Sequence, residues 1–202
     1  MTFENLNDFR KTGQSLGEGG FSKVYIIKEV STGHKYAAKE LKPNMYSRKD
    51  DQIRLLREIN IISKLDHPSI VKFKGFSFTS ICDEHNQISW QPTIVTEFIE
   101  KGSLLYRLQQ ESIGLAPLEW DDTKRFIIVL GVSSAMRYLN QNQLLHRDLK
   151  PDNILLDEND YPKLSDFGFS RNYNESMPSF IGTSKYVAPE MLRKEQYDYK
   201  VD

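Results

Sequence analysis

The sequence predicts an α+β chain in which a small antiparallel β-sheet lobe with one helix precedes a mainly helical lobe. Three observations carry this. Before residue 98, short runs rich in β-formers alternate with glycine-containing turns. One segment there has helical periodicity, and after Gly102 the apolar residues recur at helical spacing over much longer stretches. The lobes are expected over 9–98 and 99–202, with the boundary in "EFIEKGSL".

Taken in order, "FRKTGQSL", "KVYIIKEV" and "KYAAKEL" read as strands, the last two separated by the turn "STGH". "DDQIRLLREINIISKL" reads as a helix with an apolar stripe at Ile53, Leu56, Ile59 and Ile62, closed by His67-Pro68. "SIVKFKGFSF" and "PTIVTEFI" are two further strands, joined by a polar surface loop over 79–91. A short helix over 104–110 and a long one over about 122–140, capped by Asp121 or Asp122, open the second lobe. "NILLD" and "PKLSD" read as strands, and the stretch to Pro189 as irregular.

A chain of 202 residues with 39% hydrophobic and 27% charged residues can bury one sizeable core or two small ones. Its net charge of −1 argues against nucleic acid or an anionic membrane as a bulk electrostatic partner. Cys82 is the only cysteine, which excludes an internal disulfide and fits a reducing compartment, cytoplasmic or nuclear. The start "MTFENLNDFRKTG" has no apolar signal core, and no run is long enough to span a bilayer.

The chemistry concentrates in four places. "LGEGGFSKVY" lets backbone N–H groups approach phosphate oxygens. It lacks the Gly-Lys-Ser/Thr of a P-loop, and "KVYII" after it is a strand rather than the helix of a dinucleotide fingerprint. A flap between two strands, able to lie over a nucleotide, remains; the plain alternative is a hairpin turn. Lys39 shares a strand face with Ala37. Glu58 sits in the apolar stripe between Leu55 and Ile62, where a carboxylate needs a cation, and Lys39 is the candidate. Then "HRDLKPDN" is succeeded by "DFG": an Asp to accept a hydroxyl proton, a Lys to neutralise phosphate, and Asn and Asp oxygens suited to Mg²⁺. Each residue alone is more readily a cap or surface group; their joint order and spacing is not.

On these residues, the chain from Gly17 to Asp202 resembles a eukaryotic protein kinase domain of serine/threonine type, with a fainter likeness to the tyrosine-kinase-like branch in "VTEFIEKGSL". The resemblance implies an ATP site formed by Leu16, Gly17, Glu18, Gly19, Gly20, Phe21, Ser22, Lys23 and Val24 of the flap, with Ser22 where the family usually has its third glycine. It further implies Ala37, Val24 and Leu155 around adenine, Thr96 as gatekeeper, Glu97 and Ile99 at the hinge, and Lys39 on the α- and β-phosphates with Glu58 as its partner. Asp148 resembles the base that orients the substrate hydroxyl, Lys150 the contact to the γ-phosphate, and Asn153 and Asp166 the Mg²⁺ ligands. His146 is implied to be structural, stacking with Phe167, Ile62 and Phe73 between the lobes.

The implied function is transfer of the γ-phosphate of Mg·ATP to a serine or threonine hydroxyl of a protein substrate, under an upstream activating kinase. "GTSKYVAPE" resembles the end of an activation segment, with Ser176, Ser179 and Thr183 as phosphorylation candidates and Arg147 as a phosphate partner. The second reading is a truncated, pseudokinase-like ATP-binding or interaction module. Asp202 matches the aspartate that opens the family's central buried helix. The domain is therefore expected to be C-terminally incomplete, weakly active on its own, and to leave the face at Phe126, Ile127, Leu130 and Met136 partly uncovered.

Overall fold

A computed structural model describes residues 6–43, 49–83, 85, 87–173, 183 and 185–202. The chain divides into two compact units, Met1–Leu65 with Lys72–Phe98, and Asp66–Val71 with Ile99–Asp202. The first is an antiparallel sheet with a helix and the second is mainly helical, an α+β arrangement.

The sheet of the first unit runs in the order β1-β2-β3-β5-β4, from β1 (Phe9–Glu18), β2 (Ser22–Glu29), β3 (Lys35–Leu41), β4 (Phe73–Ser77) and β5 (Thr93–Glu97). Every neighbouring pair is antiparallel. Alternation along the strands sends alternate side chains to opposite faces, and both faces carry a core. One holds Phe9, Ile27, Ala38, Ile81 and Val95. The other, made by Ile94 with Phe76, is covered by Leu55 and Ile59 of helix α1 (Lys49–Ile62).

The buried stripe of α1 differs from the expected one. Leu55, Glu58, Ile59 and Ile62 are buried, while Ile53 and Leu56 are 44% and 55% exposed. The segment "IRLLREINII" carries two overlapping helical series, and the sheet selects the one through Leu55 and Ile59. "SIVKFKGFSF" is likewise not one strand. β4 begins at Phe73, and Ser69, Ile70 and Val71 instead pair with Leu164 in the second unit.

That second unit is organised by α2 (Leu104–Ser112) and α3 (Asp122–Gln141). Ser103 Oγ caps the first by accepting the Tyr106 N–H, and Asp121 caps the second by accepting the Lys124 N–H. Beyond α3 come two short strand pairs: β7 (Ile154–Leu156) with β8 (Pro162–Leu164), and β6 (Leu144–Leu145) with β9 (Arg171–Asn172). A one-turn helix, α4 (Pro189–Leu192), lies later in the chain. α3 buries Ile128, Ala135 and Leu139. Gly131 admits close approach to β8, since a Cβ there would collide with Pro162. Phe126, Val129 and Leu130 are exposed, while Ile127 and Met136 are half-buried.

His67 anchors the segment 66–71 to α3. Its Nδ1 accepts the Ser69 N–H at 3.1 Å, Nε2 meets Ser134 Oγ at 3.1 Å, and its ring lies 5.2 Å from that of Tyr138. Tyr138 Oη in turn accepts the Asp66 N–H. Burial, aided by the positive charge of Arg137, holds the imidazole below its ordinary 6.5. A depressed histidine favours the neutral folded form, so its contribution is present above 6.5 and lost as pH falls through the lowered value. Melting temperature is therefore expected to drop on acidification from about pH 7 to pH 5, and to drop less in His67→Gln than in the parent. Equal slopes in calorimetric melts would remove His67 as the cause.

Candidate active site

In the first unit, strand register collects the candidate groups. Val24 lies opposite Lys39, Ala37 opposite Thr96, and Lys39 opposite Ile94, so Val24, Ala37, Lys39 and Thr96 share one face of the sheet. It is also the face that α1 covers through Ile94. Lys39 Nζ reaches Glu58 Oε1 at 2.7 Å. Glu58 is 8% exposed, so the ion pair satisfies a carboxylate inside an apolar stripe. Residues 16–24 form the tip of the β1–β2 hairpin, closed by a hydrogen bond from Gly19 N–H to the Ser22 carbonyl at 2.9 Å. Lys42 lies beside Glu18 at 2.8 Å, and its hydrogen bond and charge hold the Glu18 carboxyl below the usual range. Lys23 stands 3.8 Å from the same carboxylate. Leu16, Gly17, Gly19, Gly20 and Phe21 are exposed.

A Cβ on Gly17 or Gly20 would meet nothing within 4 Å, and neither residue has a positive φ. The hairpin itself thus does not demand glycine at those positions. Glu97, next to Thr96 at the end of β5, is tied to the segment before β4: its N–H donates to the Lys72 carbonyl and its carboxylate accepts the Lys72 N–H.

The second unit holds the other candidates. Asp148, 3% exposed, is the hub. Its Oδ2 accepts Asn153 Nδ2 at 2.9 Å and pairs with Lys150 Nζ at 2.8 Å. Its Oδ1 accepts the N–H and the hydroxyl of Thr183 at 3.0 and 2.9 Å. Lys150 Nζ also donates to Thr183 Oγ1 at 2.6 Å. Asn153 Nδ2 donates to the Asp148 carbonyl as well, which turns its amide oxygen away from Asp148. The Asn153 carbonyl accepts both the N–H and the hydroxyl of Ser165, the residue that precedes Asp166. Leu155 lies in β7 opposite Lys163, and Ile99, 8% exposed, begins the unit's main segment.

The backbone of the loop is held from far along the chain. Asp202 accepts the N–H of His146 on Oδ2 and of Arg147 on Oδ1, both at 2.6 Å. Burial pushes the Asp202 carboxyl up, against the pull of His146, Arg147 and their two N–H groups. Arg147 and Asp166 adopt φ of 66° and 61°, left-handed conformations that persist for such residues only where surrounding contacts fix them. His146 is fully buried, stacks edge-on against Phe167 at 5.1 Å, and meets the Ser165 carbonyl through Nε2 at 3.0 Å.

Two features were not visible in the sequence. Arg147, expected to await a phosphate, is 5% exposed; its Nε donates to the Phe169 carbonyl at 2.7 Å, Nη2 to the same oxygen, and Nη1 to Tyr197 Oη at 3.1 Å. Thr183, expected only as a phosphorylation candidate, has its hydroxyl committed to Asp148 and Lys150. Its one sequence signal is a hydroxyl residue in the polar "GTSKYV" segment. Ser176 and Ser179 lie outside the described residues.

The family model of the protein kinase domain matches residues 10–202. Curated relatives include serine/threonine-protein kinase AtPK1/AtPK6 of Arabidopsis thaliana, 32% identical over 98% of this chain and 39% of its own length. The probable serine/threonine-protein kinase kinX of Dictyostelium discoideum is 39% identical over 93% of the chain and 16% of its own length. Serine/threonine-protein kinase Sgk2 of Rattus norvegicus is 35% identical over 96% and 49% respectively. The chain thus spans less than half the length of each of these relatives.

Proposed function

Because the chain belongs to the protein kinase domain family, we propose that it acts as an ATP-dependent serine/threonine kinase, moving the γ-phosphate of Mg·ATP to a protein hydroxyl. The observation that carries this reading is the Asp148–Lys150–Thr183–Asn153 cluster, where a buried carboxylate, a lysine and an amide are held in one hydrogen-bonded group.

In this reading Asp148 receives the proton of the attacking hydroxyl, its carboxylate oriented by Asn153 Nδ2 and by Thr183. Lys150, now between Asp148 and Thr183, offsets charge on the transferring phosphoryl group. Lys39, fixed by Glu58, holds the α- and β-phosphates. The flap of residues 16–24 lies over the phosphates; the open space above Gly17 and Gly20 leaves room for a ligand to approach the backbone. Ser22 at the third-glycine position gives a looser grip at most. Val24, Ala37 and Leu155 would flank adenine, with Thr96, Glu97 and Ile99 along its edge.

Asn153 and Asp166 fit a Mg²⁺ ion. Both offer hard oxygens, and Asn153 presents its amide oxygen because its nitrogen is engaged by Asp148. When bound, the ion would neutralise phosphate charge and polarise the group being transferred.

The reading extends to a protein substrate bearing serine or threonine, an upstream activating kinase, and an intracellular setting. No helix among the described residues is long and apolar enough to cross a membrane. The test is phosphate transfer from labelled ATP to a mixed protein substrate, with phosphoamino-acid analysis of the product. Label on serine and threonine, dependent on Mg²⁺, is expected. Nucleotide binding without transfer would favour the non-catalytic module, and label on tyrosine alone would exclude the serine/threonine assignment.

A further inference from the structure

Besides the Glu58–Lys39 pair at 2.7 Å, helix α1 makes a second charged contact with the sheet. One turn before Glu58, at i−4 and so on the same face, the Arg54 guanidinium lies over the ring of Phe21, 4.8 Å from its centroid. Phe21 is at the tip of the flap and is 51% exposed, so the core does not hold it. Lys42 adds two contacts close by: its N–H donates to the Phe21 carbonyl at 3.0 Å, and its Nζ pairs with Glu18 at 2.8 Å. The strand register completes the arrangement, with Ser22 opposite Leu41 and Val24 opposite Lys39.

We propose that Arg54 is a positioning residue for nucleotide binding, tying the tip of the flap to the same helix face that fixes Lys39. The inference rests on the reading of 16–24 as a nucleotide flap. A flap tip held in advance loses less freedom when a ligand arrives, so the tether raises affinity by preorganisation rather than by contact with the ligand. Because Arg54 and Glu58 are rungs of one helix, a displacement of α1 would release the flap and Lys39 together.

A half-exposed cation–π contact changes an equilibrium by about 2- to 5-fold. In ligand-free protein, Arg54→Ala is expected to speed amide hydrogen exchange at residues 19–22 by about that factor. Phe21→Ala should do the same, the double variant should exceed neither single one, and Arg54→Lys should restore part of the protection. With nucleotide, Arg54→Ala should raise the KM for ATP by about 2- to 5-fold, more than it changes kcat. Unchanged exchange in Arg54→Ala, or additive effects in the double variant, overturns the tether. The exchange measurement needs no ligand, so it still decides the tether if the parent protein binds no Mg·ADP, a result that would instead sink the nucleotide reading.

Discussion

Replacing Asp148 by asparagine is expected to lower phosphoryl transfer by about 10²- to 10⁴-fold while leaving the fold in place. Asparagine keeps the size of the side chain and one acceptor oxygen, so the contacts from Asn153 or Thr183 are kept in part. What it removes is the carboxylate of the cluster that also contains Lys150 and Thr183. Lys150 is 18% exposed on its side chain, so it retains access to water when its partner loses charge. A loss of about 1–3 kcal/mol is the expected consequence for stability. For a domain of this size that corresponds to a fall of several degrees in Tm, measured beside the rate of label transfer. Equal transfer by parent and variant would remove Asp148 from the chemistry.

The second large effect concerns Lys39. Lys39→Met is expected to reduce transfer by about 10²- to 10³-fold, the scale found when a single preorganised charge partner of a reacting group is deleted. It also strands Glu58, whose side chain is 9% exposed, and leaving that carboxylate unpaired costs about 1–3 kcal/mol. The two consequences separate in a double variant. Lys39→Met with Glu58→Gln removes the buried charge and should regain most of the lost stability, yet transfer should stay low. If activity returns with stability, Lys39 serves the fold and not the phosphates.

The contrast between these two sites shows what is legible in a sequence. The Lys39–Glu58 contact is legible because a carboxylate inside an apolar helical stripe announces its own need for a cation. The helix face itself is less so. "IRLLREINII" satisfies helical spacing in two phases, and only packing against Phe76 and Ile94 chooses between Leu55 with Ile59 and Ile53 with Leu56. Antiparallel strands before residue 98 and helices after it arise from alternation and periodicity, which are local. The break at Ile70 and Val71 is not local: their apolar character suits β4 and the Leu164 strand equally, and the partner decides. Thr183 is the extreme case. It meets Asp148 across 35 residues, and a threonine in a polar segment carries no mark of such a role. Arg147 is similar, since its engagement with the Phe169 carbonyl and Tyr197 depends on backbone placement that no side-chain pattern encodes.

The two hydrogen bonds from His146 and Arg147 to Asp202 span 56 and 55 residues. Contacts of such separation are slow to form, because a long loop must close before they repay the lost freedom. The left-handed Arg147 donates one of them, so its native shape is expected to be set late in folding rather than by the local segment. A chain whose β7–β8 and α3 elements are already assembled would still carry an unset loop around His146 and Asp148. Refolding monitored by tryptophan or far-UV signals should therefore finish before the Asp148 cluster is in place. Recovery of nucleotide-dependent function would lag behind recovery of secondary structure, a gap that Asp202→Ala would widen.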